Sequence, residues 1–289
     1  MNVKADSLSN PSGSSDRPVP TFGALIIGDE LLSGRRADKH LPQLIEMLGA
    51  RGLTLAYANM VGDDPVRIMQ SLQAAFASTD WVFSFGGIGA TPDDHTRQCV
   101  AKALGESLAL HPRAKELITQ RMTDMAQQQG QVFDPAHPDS LRRLEMGVFP
   151  ESAHIIPNPY NQIPGFSCTG AGGGRVWFVP GFPVMAWPMV EWVLETHCQP
   201  WFTPGARAEH SVVVYGAMEA TLTPLMEQIE QEFPTVKVFS LPSVDHPEHG
   251  KHIDLGVKGA TADVEPAFDA LKNRLLAMQV RLGPEMVRK

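Results

Sequence analysis

Over the first hundred residues, apolar and polar positions alternate between two kinds of segment. The run from Thr21 to Gly28 (TFGALIIG) is continuously apolar and bounded by glycine, which predicts a strand buried on both faces. From about Asp38 to Arg51, Leu41, Leu44, Ile45 and Leu48 recur at helical spacing on one face, and Gly52 supplies the stop. Leu53 to Val61 reads as a second strand. GDDP then opens a second helix whose apolar face includes Ile68, Leu72 and Phe76. Trp81 to Phe85 is a third strand that runs straight into Gly86-Gly87, and Thr91 starts a third helix ending near Gly105. Three strand–helix repeats at this spacing predict a parallel sheet with helices on both faces. The loops after Gly28, Val61 and Phe85 then share the carboxyl edge of that sheet, where such folds bind ligands.

Beyond this the pattern loosens. His111 to Gly147 reads as helical, with a break from Pro135 to Pro138. His154 to Ile156 and Arg175 to Val179 read as strands, and Pro183 to Cys198 as a helix rich in Met and Trp. From about Arg207 a smaller plan follows: strand (Ser211 to Tyr215), helix (Ala220 to Glu232), strand (Val236 to Ser240), strand (His252 to Val257), helix (Asp263 to Met278). The fold class expected is therefore α/β, a three-layer αβα domain with a mostly parallel sheet over residues 21–205. A small α+β domain of βαββα order follows over residues 206–289. Residues 1–20, rich in Ser, Pro, Gly and Asp, read as an unstructured tail.

Composition narrows the function classes. With 24 basic and 32 acidic side chains the formal charge is −8, which argues against nucleic acid as the main partner. A small anion stays possible, because backbone amides bind phosphate without side-chain charge. The three cysteines, Cys99, Cys168 and Cys198, form no CxxC pair and fit a reduced, cytoplasmic setting; Cys99, inside a helix, reads as an inert core thiol. Neither a signal peptide nor a membrane span is read in the chain.

The candidate chemistry lies in Gly86-Gly87-Ile88-Gly89-Ala90-Thr91-Pro92-Asp93-Asp94. Three glycines after a buried strand permit positive φ and close approach of a ligand to the backbone. Thr91, Pro92 and Asp94 carry the spacing of a capping box with proline at the first helical position, so a free helix N-terminus would face a phosphate. The plainer reading is a tight βα turn with aspartates that only cap. Two carboxylates beside an anion site would repel it unless a cation lies between, and a Mg²⁺-type ion shared with substrate phosphates removes the conflict. Asp29 and Glu30 in the first loop and Asp63 and Asp64 in the second pose the same choice; Asp64, before Pro65, reads as a helix-start acid. His246, His249 and His252 have HxxHxxH spacing, which can suggest metal, but they fall in a Pro- and Gly-containing segment between strands and read as a solvated hairpin. Trp187, Trp192 and Trp201, with Met185 and Met189, read as packing or a subunit interface.

These motifs resemble the molybdopterin-binding MoaB/MogA superfamily, and more closely the N-terminal module of the competence/damage-inducible CinA family. GDELLSGRRADKH is similar to that family's first loop, VGDDPVRI to its second and FGGIGATPDDHTRQCVAKALG to its third. The resemblance continues more weakly through Leu141 to Pro150, NPYNQIPGF, VPGFP and the C-terminal segment. It implies a homo-oligomeric αβα domain that takes a pterin or nucleotide as its small-molecule partner. In one branch the ligand is molybdopterin, with adenylyl transfer to it; in the CinA branch the activity is metal-dependent cleavage of ADP-ribose-type pyrophosphates with Mg, Mn or Co. It further implies acids at Asp63 and Asp94, phosphate-binding glycines at Gly86, Gly87 and Gly89, and Thr91 beside them. A cation would sit on Asp63 and Asp94 with Asp93 or Asp29 near, and His95 or His40 could assist proton transfer. The chain departs from the family pattern at Ala90, at His40 in place of Asn, at Asn161-Gln162-Ile163 and at Met185. The family's amidohydrolase domain has no counterpart in this sequence, so nicotinamide mononucleotide deamidation is not expected.

Overall fold

The structure is a computed structural model that describes residues 18–288; residues 1–17, most of the expected tail, lie outside the described residues. The chain divides into two compact units: one runs to Leu48 and from Thr54 to Phe202, the other comprises Gly49–Leu53 and the chain from Thr203.

In the first unit the elements are β1 (Phe22–Ile27), α1 (Asp29–Leu32), α2 (His40–Gly49), β2 (Leu55–Val61), α3 (Pro65–Ala77), β3 (Trp81–Phe85), α4 (Thr96–Leu104), β4 (Leu108–Leu110), α5 (Pro112–Gln128), α6 (Pro138–Leu144), β5 (Val148–Pro150), β6 (His154–Ile156), β7 (Gly165–Thr169), β8 (Arg175–Val179) and α7 (Pro183–Val193). The main sheet has the order β2-β1-β3-β8-β7-β6. β2, β1, β3 and β8 run parallel, and β7 and β6 are antiparallel. The mostly parallel α/β sheet is thus as its pattern predicts. β1 lies inside the sheet with every residue buried, which is why its sequence shows no alternation. Side chains of successive residues divide between the faces. Leu25, Ile27, Val82, Val176 and Phe178 join Ile68, Leu72, Phe76 and Val100 in one core. On the opposite face Phe83 stacks on Trp177 at 5.1 Å.

Local signals explain most boundaries. Asp64 caps α3, accepting from the N–H groups of Val66 (2.7 Å) and Arg67 (3.3 Å), with Pro65 at the first helical position. Gly105, at φ 70°, ends α4. Four expectations need correction. Ile45 is 52% exposed; the buried stripe of α2 is His40, Leu44, Met47 and Leu48, and Ile45 lies about 100° round the helix from Leu44. α4 starts at Thr96, not at Thr91. The helix expected to run to Cys198 is regular only to Val193 and closes in a π-turn over Leu194–Cys198. Strands β4, β5 and β7 were absent from the sequence pattern.

The second unit contains β9 (Arg207–Tyr215), α8 (Glu219–Glu232), β10 (Val236–His246), β11 (Gly250–Ala260), α9 (Thr261–Ala277) and β12 (Arg281–Arg288). β12 adds to the expected βαββα order, and the sheet order β10-β11-β9-β12, antiparallel throughout, is that of a split βαβ pair. Ile253, Leu255 and Val257 pack with Val264, Phe268 and Leu271 beneath the helices.

Cys99, Cys168 and Cys198 are buried and joined in no disulfide, and burial pushes Cys168 up to about 12, so Cys168 carries no thiolate near neutrality. No helix among the described residues is long and apolar enough to cross a membrane.

His197, just beyond α7, is held down at about 4 by burial, with Arg175 and His154 adding to the effect. An imidazole whose folded pKa lies below its unfolded value near 6.5 must be discharged to fold, so its penalty grows as pH falls from about 6.5 and levels off below about 4. Denaturant titrations between pH 7 and pH 4 should show a loss on the order of 1–2 kcal/mol, the partly exposed ring being screened by solvent, that His197→Gln abolishes.

Candidate functional site

Three loops leave the carboxyl ends of the parallel strands β1, β2 and β3, and the backbone ties them together. The Gly28 N–H donates to the Val61 carbonyl at 3.0 Å, joining the first loop to the end of β2. Asp29 and Asp63 then exchange bonds: the Asp29 N–H donates to Asp63 Oδ2 at 2.9 Å, and the Asp63 N–H to Asp29 Oδ1 at 3.1 Å. Each loop therefore fixes the carboxylate of the other across 34 residues of sequence.

The third loop is shaped by absence of side chains. Gly86 and Gly87 have φ of 96° and 68°, in the left-handed region that favours glycine. A Cβ on Gly86 would lie 2.4 Å from the Ile27 carbonyl, and one on Gly87 2.2 Å from Thr96 Oγ1. The loop closes on α4 through Thr96, whose N–H donates to the Gly87 carbonyl (3.0 Å) and whose hydroxyl donates to that of Gly86 (3.2 Å). This is why the helix begins five residues later than its capping signal. Thr91, instead of capping, gives both its N–H (2.8 Å) and its hydroxyl (2.5 Å) to Asp94 Oδ2, closing a turn inside the loop.

Two residues whose burial the pattern does not predict hold this loop from behind. Arg97 is 5% exposed, and its guanidinium donates to the carbonyls of Gly89 and Glu145. Burial pulls its pKa down, while Asp94 and Glu145 oppose that shift. His40, 6% exposed, stacks on Phe85 at 4.5 Å, and its Nε2–H donates to the Gly181 carbonyl at 3.1 Å. A carbonyl only accepts, so the proton sits on Nε2. Nδ1 is buried without a partner, and burial lowers the pKa of the ring. His40 is thus a positioning residue, walled off from proton transfer; His95 stands at the α4 N-terminus, half-buried.

The departures at 161–163 and 185 form one contact set. Buried Asn158 donates to Asn161 Oδ1 (2.8 Å) and to the Ile163 carbonyl (2.9 Å), while Asn161 Nδ2 reaches Met185 Sδ at 3.2 Å.

The electrostatics are one-sided. The carboxyl of Asp63 is raised, first by burial and then by the charges of Asp29, Glu30 and Asp93, with the Asp29 N–H opposing. Asp29, Glu30, Leu32, Ser33 and Arg35 line an open depression of about 440 Å³ beside it. No three His, Cys, Asp or Glu side chains among the described residues stand ready as a metal's ligand set. A resident ion held by protein alone does not fit. A hydrated ion shared between one or two of these carboxylates and ligand phosphates does, because it needs no such cage.

A glycine-rich βα turn and two acidic loops meet on the carboxyl edge of a parallel sheet, the edge where α/β domains of this class bind their ligands. Residues 23–199 match the model of a family described as "Probable molybdopterin binding domain". The chain belongs to this family, the MoaB/MogA superfamily, in its CinA N-terminal-like form. It is 34% identical over 171 residues to a CinA-like protein of Anaeromyxobacter sp., covering 59% of this chain and 39% of that protein. A protein of Pyrobaculum calidifontis is 28% identical over 263 residues, covering 90% of this chain and 96% of its own. The solved structure of CinA, of unknown function, from Thermoplasma acidophilum has a TM-score of 0.51 at 27% identity, covering 61% of this chain and 97% of that one.

Gly87→Ala combines an unfavourable φ with the 2.2 Å approach to Thr96 Oγ1. It should destabilise the first unit by about 1–3 kcal/mol and weaken any phosphate-bearing ligand at this loop. Thermal melts with and without an adenine dinucleotide check both effects; an alanine variant with unaltered melting would show that the loop tolerates a side chain.

Proposed function

We propose that this protein binds a pterin or nucleotide through its phosphates on the Gly86–Gly89 loop and hydrolyses an ADP-ribose-like pyrophosphate, with Asp63 as the residue on which turnover depends. The observation that carries this reading is the field at Asp63. A half-buried carboxyl is crowded by Asp29, Glu30 and Asp93 at the mouth of an amide-rich turn, and that excess of negative charge asks for a cation brought with the substrate.

The glycine loop would cradle the pyrophosphate with its backbone, and Arg97 and His40 would keep that backbone in place. Asp29 would hold the Asp63 backbone, and Asp63 would take the proton of the attacking water. The water oxygen bonds to phosphorus and the bridging P–O bond breaks. The leaving phosphate keeps the electron pair, so ADP-ribose would yield AMP and ribose 5-phosphate. A divalent cation of the Mg, Mn or Co class, when bound, neutralises the charge developing on the phosphoryl oxygens. Asp63, Asp94 and Asp93 are the carboxylates that would meet it. We expect the protein to work as a cytoplasmic homo-oligomer.

A second reading is a pterin- or nucleotide-binding module without turnover, or one serving adenylyl transfer to molybdopterin. Asp94 favours it, since Oδ2 is committed to Thr91.

Hydrolysis of ADP-ribose, with FAD and other dinucleotides as a panel and with or without added Mg²⁺, Mn²⁺ or Co²⁺, separates the readings. The expected result is metal-dependent AMP release that falls by at least about 100-fold in Asp63→Asn/Asp94→Asn. Asp63→Asn alone should raise the melting temperature at pH 7, because it removes a carboxylate whose charged form the fold disfavours. Equal turnover in the double variant would exclude the assignment. No turnover with any substrate, together with calorimetric binding of molybdopterin, would establish the second reading.

A further inference from the structure

We infer that the β10–β11 hairpin of the second unit is a binding site for a divalent transition ion of the zinc class, held by His246, His249 and His252. The hairpin folds the HxxHxxH segment back on itself, so the three rings meet: His246 and His249 at 4.9 Å between centroids, His246 and His252 at 5.2 Å, His249 and His252 at 5.6 Å. A tetrahedral ion about 2 Å from each ligating nitrogen holds its imidazole centroids about 5 Å apart. The spacing therefore already suits one ion, although the ring planes do not: His246 and His249 lie stacked at 11°, and the three rings are not a ready ligand set. An ion would therefore require the rings to turn about their ring-bearing bonds.

The outer contacts favour free nitrogens. His252 is buried, and its Nδ1 lies 2.8 Å from the Gly250 carbonyl, so Nδ1 carries the proton and Nε2 keeps its lone pair. Tyr215 places its hydroxyl 3.2 Å from His249 Nδ1; a hydroxyl can accept, which leaves Nε2 of His249 open in the same way. Such outer acceptors fix the tautomer and aim of metal-binding histidines. His246 Nδ1 accepts from the N–H groups of Glu248 (3.3 Å) and His249 (3.2 Å), long bonds that cost little to release. An independent observation points the same way. Two residues beyond His252, on the strand face opposite the Ile253–Leu255–Val257 core, Asp254 is 8% exposed with Oδ1 buried and unpartnered. A buried carboxylate oxygen without a partner is costly, and a cation on the adjoining histidines compensates it. The site is independent of the pyrophosphatase reading.

The test is a Co²⁺ titration of the tag-free, chelator-stripped full chain, read by visible d–d absorption and followed by Zn²⁺ competition. One Co²⁺ per chain is expected, displaced by Zn²⁺, retained in Asp63→Asn/Asp94→Asn and weakened at least 10-fold in His246→Gln/His249→Gln, whose apo melting should match the parent. In the parent chain, Co²⁺ should broaden the imidazole NMR signals of these three histidines and of no others, a readout that needs no variant. Absence of d–d bands, bands that persist in the histidine variant, or broadening elsewhere would overturn the assignment.

Discussion

The Ile27 carbonyl stands where a side chain on Gly86 would be, and the candidate site depends on that approach. Because β1 and β3 are parallel neighbours, the chain leaving β3 must pass the end of β1 at backbone distance. Gly86 and Gly87 allow it, and Thr96 then fastens the turn by bonding both of their carbonyls. Had the turn carried side chains, α4 could not start where it does and Arg97 would not reach the Gly89 carbonyl. The same approach leaves the loop's outer backbone open to an anion, so packing and binding ask for the same residues.

Against that open backbone stands a concentration of acid. The Asp29–Asp63 exchange satisfies two backbone donors and lets two loops set each other's course. It also brings like charges together, which add to the larger effect of burial in raising the Asp63 carboxyl. Helix capping accounts for Asp64, which spends its carboxylate on α3. It does not account for the gathering of Asp63, Glu30 and Asp93 at one edge, although Asp63 Oδ2 does take the first N–H of α1. On the proposed reading, a fold that tolerates this repulsion without ligand would recover it when a cation bridges them to phosphate, a trade of stability for activity.

Much of this was legible before any coordinates. β1, β2 and β3 announce themselves as apolar runs ended by glycine, and the spacing of the helices between them dictates parallel pairing. The αβα class and the gathering of three loops on one edge follow from that. The start of α4 was not legible: Thr91-Pro92-Asp93-Asp94 is a good local capping signal, and only the tertiary bonds of Thr96 to Gly86 and Gly87 override it. β7 is hidden because Pro164, Gly165 and Ser167 break its pattern. β12 is hidden by Gly283-Pro284, which sit where the pairing to β9 shifts register, a place an edge strand can accommodate proline. Arg97 could not be found by pattern, and His40 stood out only as a departure and as a proton-transfer candidate, since a polar residue in a helix is expected at the surface; each is buried where it gives its donor to a loop carbonyl.

The buried polar residues also separate two ends of the site. Arg97 and Thr96 serve the glycine turn, where Ala90 is the single departure from the family pattern. His40 and Asn158 serve the VPGFP and NPYNQIPGF segments, and there the chain departs. His40 grips Gly181, while Asn158 organises Asn161 and Ile163, and Asn161 in turn meets Met185. Changes that touch one another act as one substitution rather than several independent losses. Gly181 lies close behind Gly86, so these segments border the phosphate loop without supplying it. On the proposed reading, a drift concentrated in them would alter what is held beyond the phosphates, the base or the pterin, and would leave the glycines of the turn in place. Selectivity between a nucleotide and a pterin is therefore to be sought in Asn161 and Met185, not in the glycines.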